Sequence, residues 1–242
     1  TNAAWRIDPA ETKAALALDA LQLVNDFEAQ AYALPLLEPK DLVAIGDGQG
    51  LEHGNRVVLG PGTGLGVSAL VSAHQGRFVA VPGEAGHATV PAMTDDEADI
   101  LSRLRRRFGH VSAERAISGA GLEALYQALD ERRGKAGSGR HPLAAEVAEL
   151  AEAGDETAHE ALSCFAAFLG TVAADLALTF WASGGVYLSG GVLQRLGPAF
   201  DRAGFRARFE SKGRFARDLK TFPTFLVAHA NIGLLGLAKL AF

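Results

Sequence analysis

Apolar and polar positions alternate with period two in several short stretches of this chain and follow a helical period in longer ones. Residues 4–7, "AWRI", alternate as a strand, and Asp8-Pro9-Ala10-Glu11 then supplies an N-cap, a proline at the first helical position and a glutamate three residues after the cap. "LQLV" (21–24) predicts a short buried strand, "DFEAQAYAL" (26–34) a helix and "DLVAIG" (41–46) another strand. From Asn55 onward the period is two: an apolar run to Leu59, a glycine-rich turn, then Val67, Ala69, Val71 and Ala73 alternating with Ser68, Leu70 and Ser72. A "HQGR" turn and "FVAV" follow, so the stretch predicts strands joined by tight turns.

Beyond His87 the pattern becomes helical. Thr94 and Glu97 form a capping box ahead of "DDEADILSRLRRRF", and further helices are predicted in "AGLEALYQALDERR", "PLAAEVAELAEA" and the long apolar run after Asp155. Between them, "RRGKAGSGR" (132–140) predicts a flexible surface loop. Strand character returns at "GGVYLSGG" and "TFPTFLVAH", and "NIGLLGLAKLAF" closes the chain as an apolar helix. The class is α/β, with helices concentrated in the middle.

Composition narrows what such a chain can do. Its 242 residues suffice for one large domain or two modest ones. The formal net charge of -5 argues against a general nucleic-acid binder, which normally shows a basic footprint. The single basic cluster, Arg103, Arg105, Arg106 and Arg107, shares its segment with Ile100, Leu101, Leu104 and Phe108 and reads as the wet face of an amphipathic helix. Cys164 is the sole cysteine, which rules out an intrachain disulfide or a cysteine-based zinc cluster and fits a reducing, cytoplasmic home. The apolar run from Ala161 to Ala182 is long enough to span a membrane, yet Asp175 sits well inside it, at a cost of about 2.5–3.5 kcal/mol on insertion scales. A buried core helix and no membrane partner is the expectation. The chain starts without methionine, in a strand already under way, which predicts further sequence upstream.

The densest chemical signal is "GPGTGLG", four glycines in the seven residues from Gly60 to Gly66. A Walker A loop is excluded, because the stretch holds no lysine. The dinucleotide pattern fits once, from Gly64 to Ala69, but it requires a helix next and a strand follows. What remains is a glycine turn containing Thr63, whose backbone N–H groups either cradle an anion or merely close a hairpin. Ser189-Gly190-Gly191 ends a second apolar strand and lets a backbone or a flat ligand approach closely. Asn25 and Asp26 follow a predicted strand and open a helix, so one of them is either an N-cap or a ligand-facing group. Glu84 and His87 are separated by two small residues in a turn, without a third metal ligand near in sequence, and Glu114 has an ordinary solvent-facing alternative. Together these donors and acceptors suit a polyhydroxylated ligand.

The segments "VNDFEAQAYALP", "GPGTGLGVSALV", "VPGEAGH", "FGHVSAERAISGAGLEALY", "VYLSGGVLQRL", "FESKGRF" and "VAHANIGLLG" resemble, in order, those of the bacterial glucokinase family. These are ATP-dependent hexose kinases of the actin-like ATPase superfamily, with a two-lobed, ribonuclease H-like fold. The resemblance implies Asp26 as general base beside Asn25, and Glu84, His87 and Glu114 on the sugar's ring hydroxyls. It implies Gly62, Thr63 and Gly64 as a phosphate loop, Gly190 and Gly191 flanking the adenosine, Mg²⁺ carried with ATP and no protein-held metal. It further implies glucose as substrate, a homodimer, and lobes divided as residues 1–35 plus 229–242 against 36–228. The family's Asp-x-Gly-Gly-Thr phosphate loop does not occur here, so the resemblance implies an incomplete small lobe and negligible turnover by these 242 residues alone. The alternatives are a kinase of another hexose and a non-catalytic sugar-sensing module. Relatives of the sensing kind usually carry a cysteine-rich zinc motif, which a single cysteine excludes.

Overall fold

The computed structural model describes residues 7–134 and 142–240, apart from the side chain of Gln75. Six strands form one mixed sheet: β1 (Leu42–Ile45), β2 (Arg56–Pro61), β3 (Leu65–Ser72), β4 (Phe78–Gly83), β5 (Gly185–Leu188) and β6 (Thr224–Val227). Their spatial order is β1-β6-β5-β2-β3-β4. The three middle strands β6, β5 and β2 run parallel, while β1, β3 and β4 pair antiparallel at the flanks.

Period-two alternation assigns the strand side chains to two cores. Val57, Leu59, Val67, Ala69, Val186 and Leu188 face the larger one. Against that face pack α3 (Asp95–Phe108), α5 (Gly119–Arg132), α6 (Ala144–Glu152), α7 (Glu156–Phe180) and α9 (Arg202–Glu210). The intervening Val58, Leu70 and Tyr187 face the smaller core, formed with α2 (Asp26–Ala33) and α11 (Ile232–Leu240). Within that core α11 lies so close to α2 that a Cβ on Gly236 would overlap the Ala29 carbonyl. Short helices α1 (Pro9–Ala15), α4 (Ala113–Ala116), α8 (Gly191–Leu196) and α10 (Ala216–Thr221) complete the described chain.

The long apolar run is α7, capped by the Asp155 carboxylate at the Ala158 N–H. It is long and apolar enough to cross a membrane, but two-thirds (67%) of its most apolar window is buried in the protein. Asp175 points outward and pairs with Lys212 at 2.5 Å. Cys164, on the same helix, is half-buried, and burial first, then Glu160 and Glu97, push its thiol up to about 12. Because the thiolate is the nucleophile, the native protein is expected to resist iodoacetamide at pH 8 and to react once unfolded in denaturant. Stoichiometric alkylation of the native protein within minutes would contradict this.

Several expectations need correction. "LQLV" is neither strand nor buried: Leu21–Val24 is irregular and Leu23 is 51% exposed. No strand among the described residues lies beside it, and without a partner an extended segment has no ladder for its backbone groups. The "AWRI" strand, residues 4–7, lies outside the described residues except for Ile7. The predicted loop at 132–140 begins late. Arg132 is still in α5 and Arg133 caps it, both bound to Glu160, while 135–140 lie outside the described residues. The capping box is half-formed. Thr94 accepts from the Glu97 N–H at 3.2 Å, but the Glu97 carboxylate accepts from Met93 N at 2.7 Å and meets Arg208 at 2.6 Å. At 5% exposure Glu97 belongs to a buried ion pair joining α3 to α9, and that pairing overrides the local box.

Candidate active site

The site gathers where the parallel strands end. β2 and β5 run side by side, Leu59 opposite Leu188, so Pro61 and Ser189 leave the sheet at the same edge. From there β2 turns back into β3 on one side, whereas β5 leads towards β6 on the other. Open α/β sheets bind ligands in the crevice at such a divergence.

The glycine turn is the hub. Gly62 N–H donates to Gly64 O at 2.8 Å, closing the hairpin, and Gly62 O accepts from Gly119 N at the start of α5 at 3.0 Å. Hence the N–H groups the turn can offer a ligand are those of Thr63 and Gly64, not all three. A Cβ on Gly62 would meet nothing within 4 Å, so the turn is open on that side. Glu114, on α4, accepts from Leu65 N at 3.1 Å through Oε2. It is half-buried against the hairpin, so its solvent-facing alternative is set aside.

Glu84 and His87 bracket a 3₁₀ turn, Ala85–His87, held to the same hairpin because Gly86 packs against the Leu65 carbonyl. Their side chains stand 3.9 Å apart and are 83% and 64% exposed. The turn therefore presents an acceptor and an imidazole to solvent beside Glu114's anchor point.

On the opposite flank Asn25 and Asp26 share one helix end, and the Phe27 N–H is within 2.9 Å of both Asn25 Oδ1 and Asp26 Oδ1. Asn25 is the N-cap of α2, its Oδ1 accepting from Phe27 N at 2.9 Å and Glu28 N at 3.2 Å. The cap engages only the oxygen, leaving the Nδ2 amide as a donor. Asp26 is the first helical residue and is exposed, at a helix end where the dipole favours negative charge. Phe27 fixes this helix end: Cβ atoms on Gly60 and Gly66 would both strike its ring. Glycine on facing strands thus makes a groove for one aromatic side chain, which brings Asp26 to the hairpin.

Gly190 adopts φ +103°, and a Cβ there would lie 2.5 Å from the Pro61 carbonyl, so both conformation and space demand glycine. Gly191 opens α8. Both border a cleft of about 520 Å³ that also reaches Asp26, Gln30, Gln194 and the turn at His229–Asn231. That volume lies in the range of small-molecule and cofactor sites. Gln30, in "VNDFEAQAYALP", and His229, in "VAHANIGLLG", carry no local signal that marks them as cleft residues. Among the described residues no group of three or more His, Cys, Asp or Glu is placed to hold a metal ion.

Comparison with solved structures agrees with this topology. A glucokinase from an Antarctic psychrotroph superposes with a TM-score of 0.88 at 37% identity, covering 98% of this chain and 73% of that one. A more distant ROK family glucokinase from Streptomyces griseus, solved with glucose and AMPPNP, shares the fold alone, with a TM-score of 0.64 at 22% identity over 99% of this chain and 74% of that one. The fold is that of the actin-like ATPase sugar kinases.

The family can be stated more closely. A family model described as Glucokinase matches residues 1–242. The glucokinase of Nitrobacter hamburgensis is 47% identical over 241 residues, which is 99% of this chain and 74% of that protein. The chain belongs to the glucokinase family, and it spans about three-quarters of that relative's length.

Proposed function

We propose that the protein transfers the γ-phosphoryl group of ATP to the 6-hydroxyl of glucose, with Asp26 as the general base. The single observation that carries this reading is the convergence on one hairpin of an exposed carboxylate, a glycine turn and a cleft floored by Gly190 and Gly191. Phosphoryl transfer passes through a loose transition state, so the protein must chiefly position the reactants and supply a base for the hydroxyl proton.

In this reading the sugar lies over the hairpin, between the α2 N-terminus and the Glu84–His87 turn. Asn25 donates to it, Glu84, His87 and Glu114 hold the ring hydroxyls, and Asp26 faces the primary hydroxyl. The Thr63 and Gly64 N–H groups meet the transferred phosphoryl, with Gly62 shaping the turn. Gly190 and Gly191 let the adenosine lie flat. Mg²⁺ arrives bound to the nucleotide's phosphates, as it does where proteins build no cage for it. The lobes divide at residues 1–35 plus 229–242 against 36–228, with α11 returning to the smaller lobe. A cytoplasmic homodimer is the assembly the family resemblance favours.

Coupled ADP release is the test, comparing glucose with 6-deoxyglucose in the intact protein. Release with glucose and none with the 6-deoxy sugar is the expected result; equal release with both would refute phosphorylation at that hydroxyl. Sugar choice gives a second prediction. Glu114→Ala removes a charge-assisted bond to the hairpin as well as a sugar ligand, and losses of this kind cost about 1.5–3 kcal/mol, or roughly 10–150-fold in glucose affinity. Glu84→Gln and His87→Ala are expected to weaken glucose binding less, because both side chains start hydrated. Calorimetry that ranks Glu114→Ala as the mildest of the three would mean the sugar does not lie against the hairpin.

A further inference from the structure

Ser189 is 6% exposed and connects three elements at the cleft. Its N–H donates to Leu59 O on β2 at 2.9 Å, and its carbonyl abuts Gly60, where a Cβ would sit 2.8 Å away. Its hydroxyl donates to Gln30 Oε1 at 2.7 Å. Gln30 is one turn past Asp26 on α2, so both residues lie on the same side of that helix. Gly190, the next residue after Ser189, presses on the Pro61 carbonyl at the mouth of the glycine turn.

The bond therefore runs from the helix that carries the carboxylate to the loop that carries the paired glycines. It joins positions that are 159 residues apart and crosses the cleft wall directly. A ligand seated on Gly190–Gly191 would abut Ser189, whose hydroxyl is bound to Gln30 on α2. In the other direction, a ligand settling on Asp26 would touch the helix whose Gln30 holds the Ser189 hydroxyl.

We propose that Ser189 and Gln30 are positioning residues that couple nucleotide binding to sugar binding. The inference rests on the sugar-kinase reading above and adds a property that reading does not contain. Coupling between sites is reciprocal, so the nucleotide tightens glucose by the same factor as glucose tightens the nucleotide. A factor of roughly 5 or more is the ordinary scale. A merely structural bond would instead lower stability and leave this factor unchanged.

The test is calorimetric titration of the intact protein with glucose, with and without saturating AMPPNP. Wild type is expected to bind glucose at least about fivefold more tightly with the analogue present. Ser189→Ala and Gln30→Ala are expected to lose that factor, whatever change each makes to the two binary affinities, and the double variant to lose no more of it than either single one. Ser189→Thr keeps the donor hydroxyl without adding charge to the cleft and is expected to retain the factor. Wild type that binds both ligands without coupling, or alanine variants that retain it, would overturn this proposal alone. Wild type that binds neither ligand would overturn the sugar-kinase reading, and this proposal with it.

Discussion

Replacing Asp26 by asparagine is expected to lower kcat of the intact protein by about 10²–10⁴ while glucose affinity changes little. The amide keeps the size of the carboxylate and can still hydrogen-bond, but it cannot accept the proton that leaves the sugar hydroxyl. α2 should survive the change, because its cap is the neighbouring Asn25, whose oxygen holds the Phe27 and Glu28 N–H groups. Steady-state kinetics and a melting curve on the same preparation separate the two effects. Near-normal kcat in Asp26→Asn would reduce Asp26 to a residue that merely favours the helix terminus.

Gly66→Ala carries the second large effect, by a different route. Its added methyl group would overlap the Phe27 ring, which is 9% exposed and whose tip also packs against Gly60. Overpacking of this kind costs about 1–3 kcal/mol. In a chain of this size the cost should lower Tm by roughly 2–12 °C. Because Phe27 adjoins Asp26, turnover should fall as well. Shortening the ring side chain in the same protein, Gly66→Ala with Phe27→Leu, should recover part of the stability and less of the activity. If Gly66→Ala melts and turns over like wild type, the groove does not position the helix.

How much of this was legible in the sequence depends on the range of the forces involved. The hairpin was legible because period-two alternation and glycine density are local signals, and the rejection of a dinucleotide loop followed from the strand after Gly66. The α2 start and the long helix α7 were legible for the same reason. "LQLV" was misread because apolar composition alone cannot supply the strand partners that turn an extended segment into a strand. The Glu97 box is only half-formed because Arg208 on α9, over a hundred residues away, offers its carboxylate more than the N-cap does. The Glu114 contact with Leu65 spans 49 residues and the Ser189–Gln30 bond 159, and no local pattern announces either. The resemblance supplied residue roles, whereas the structure supplied what holds those residues together.

The central claim is that the sugar's primary hydroxyl is presented to Asp26 over the glycine hairpin. A crystal structure of the intact protein with glucose tests it most directly. The account predicts the 6-hydroxyl oxygen within about 2.6–3.2 Å of an Asp26 carboxylate oxygen, with the ring held from the Glu114 side of the hairpin. Glucose bound away from the hairpin, or seated there with its 6-hydroxyl turned from Asp26, would contradict it.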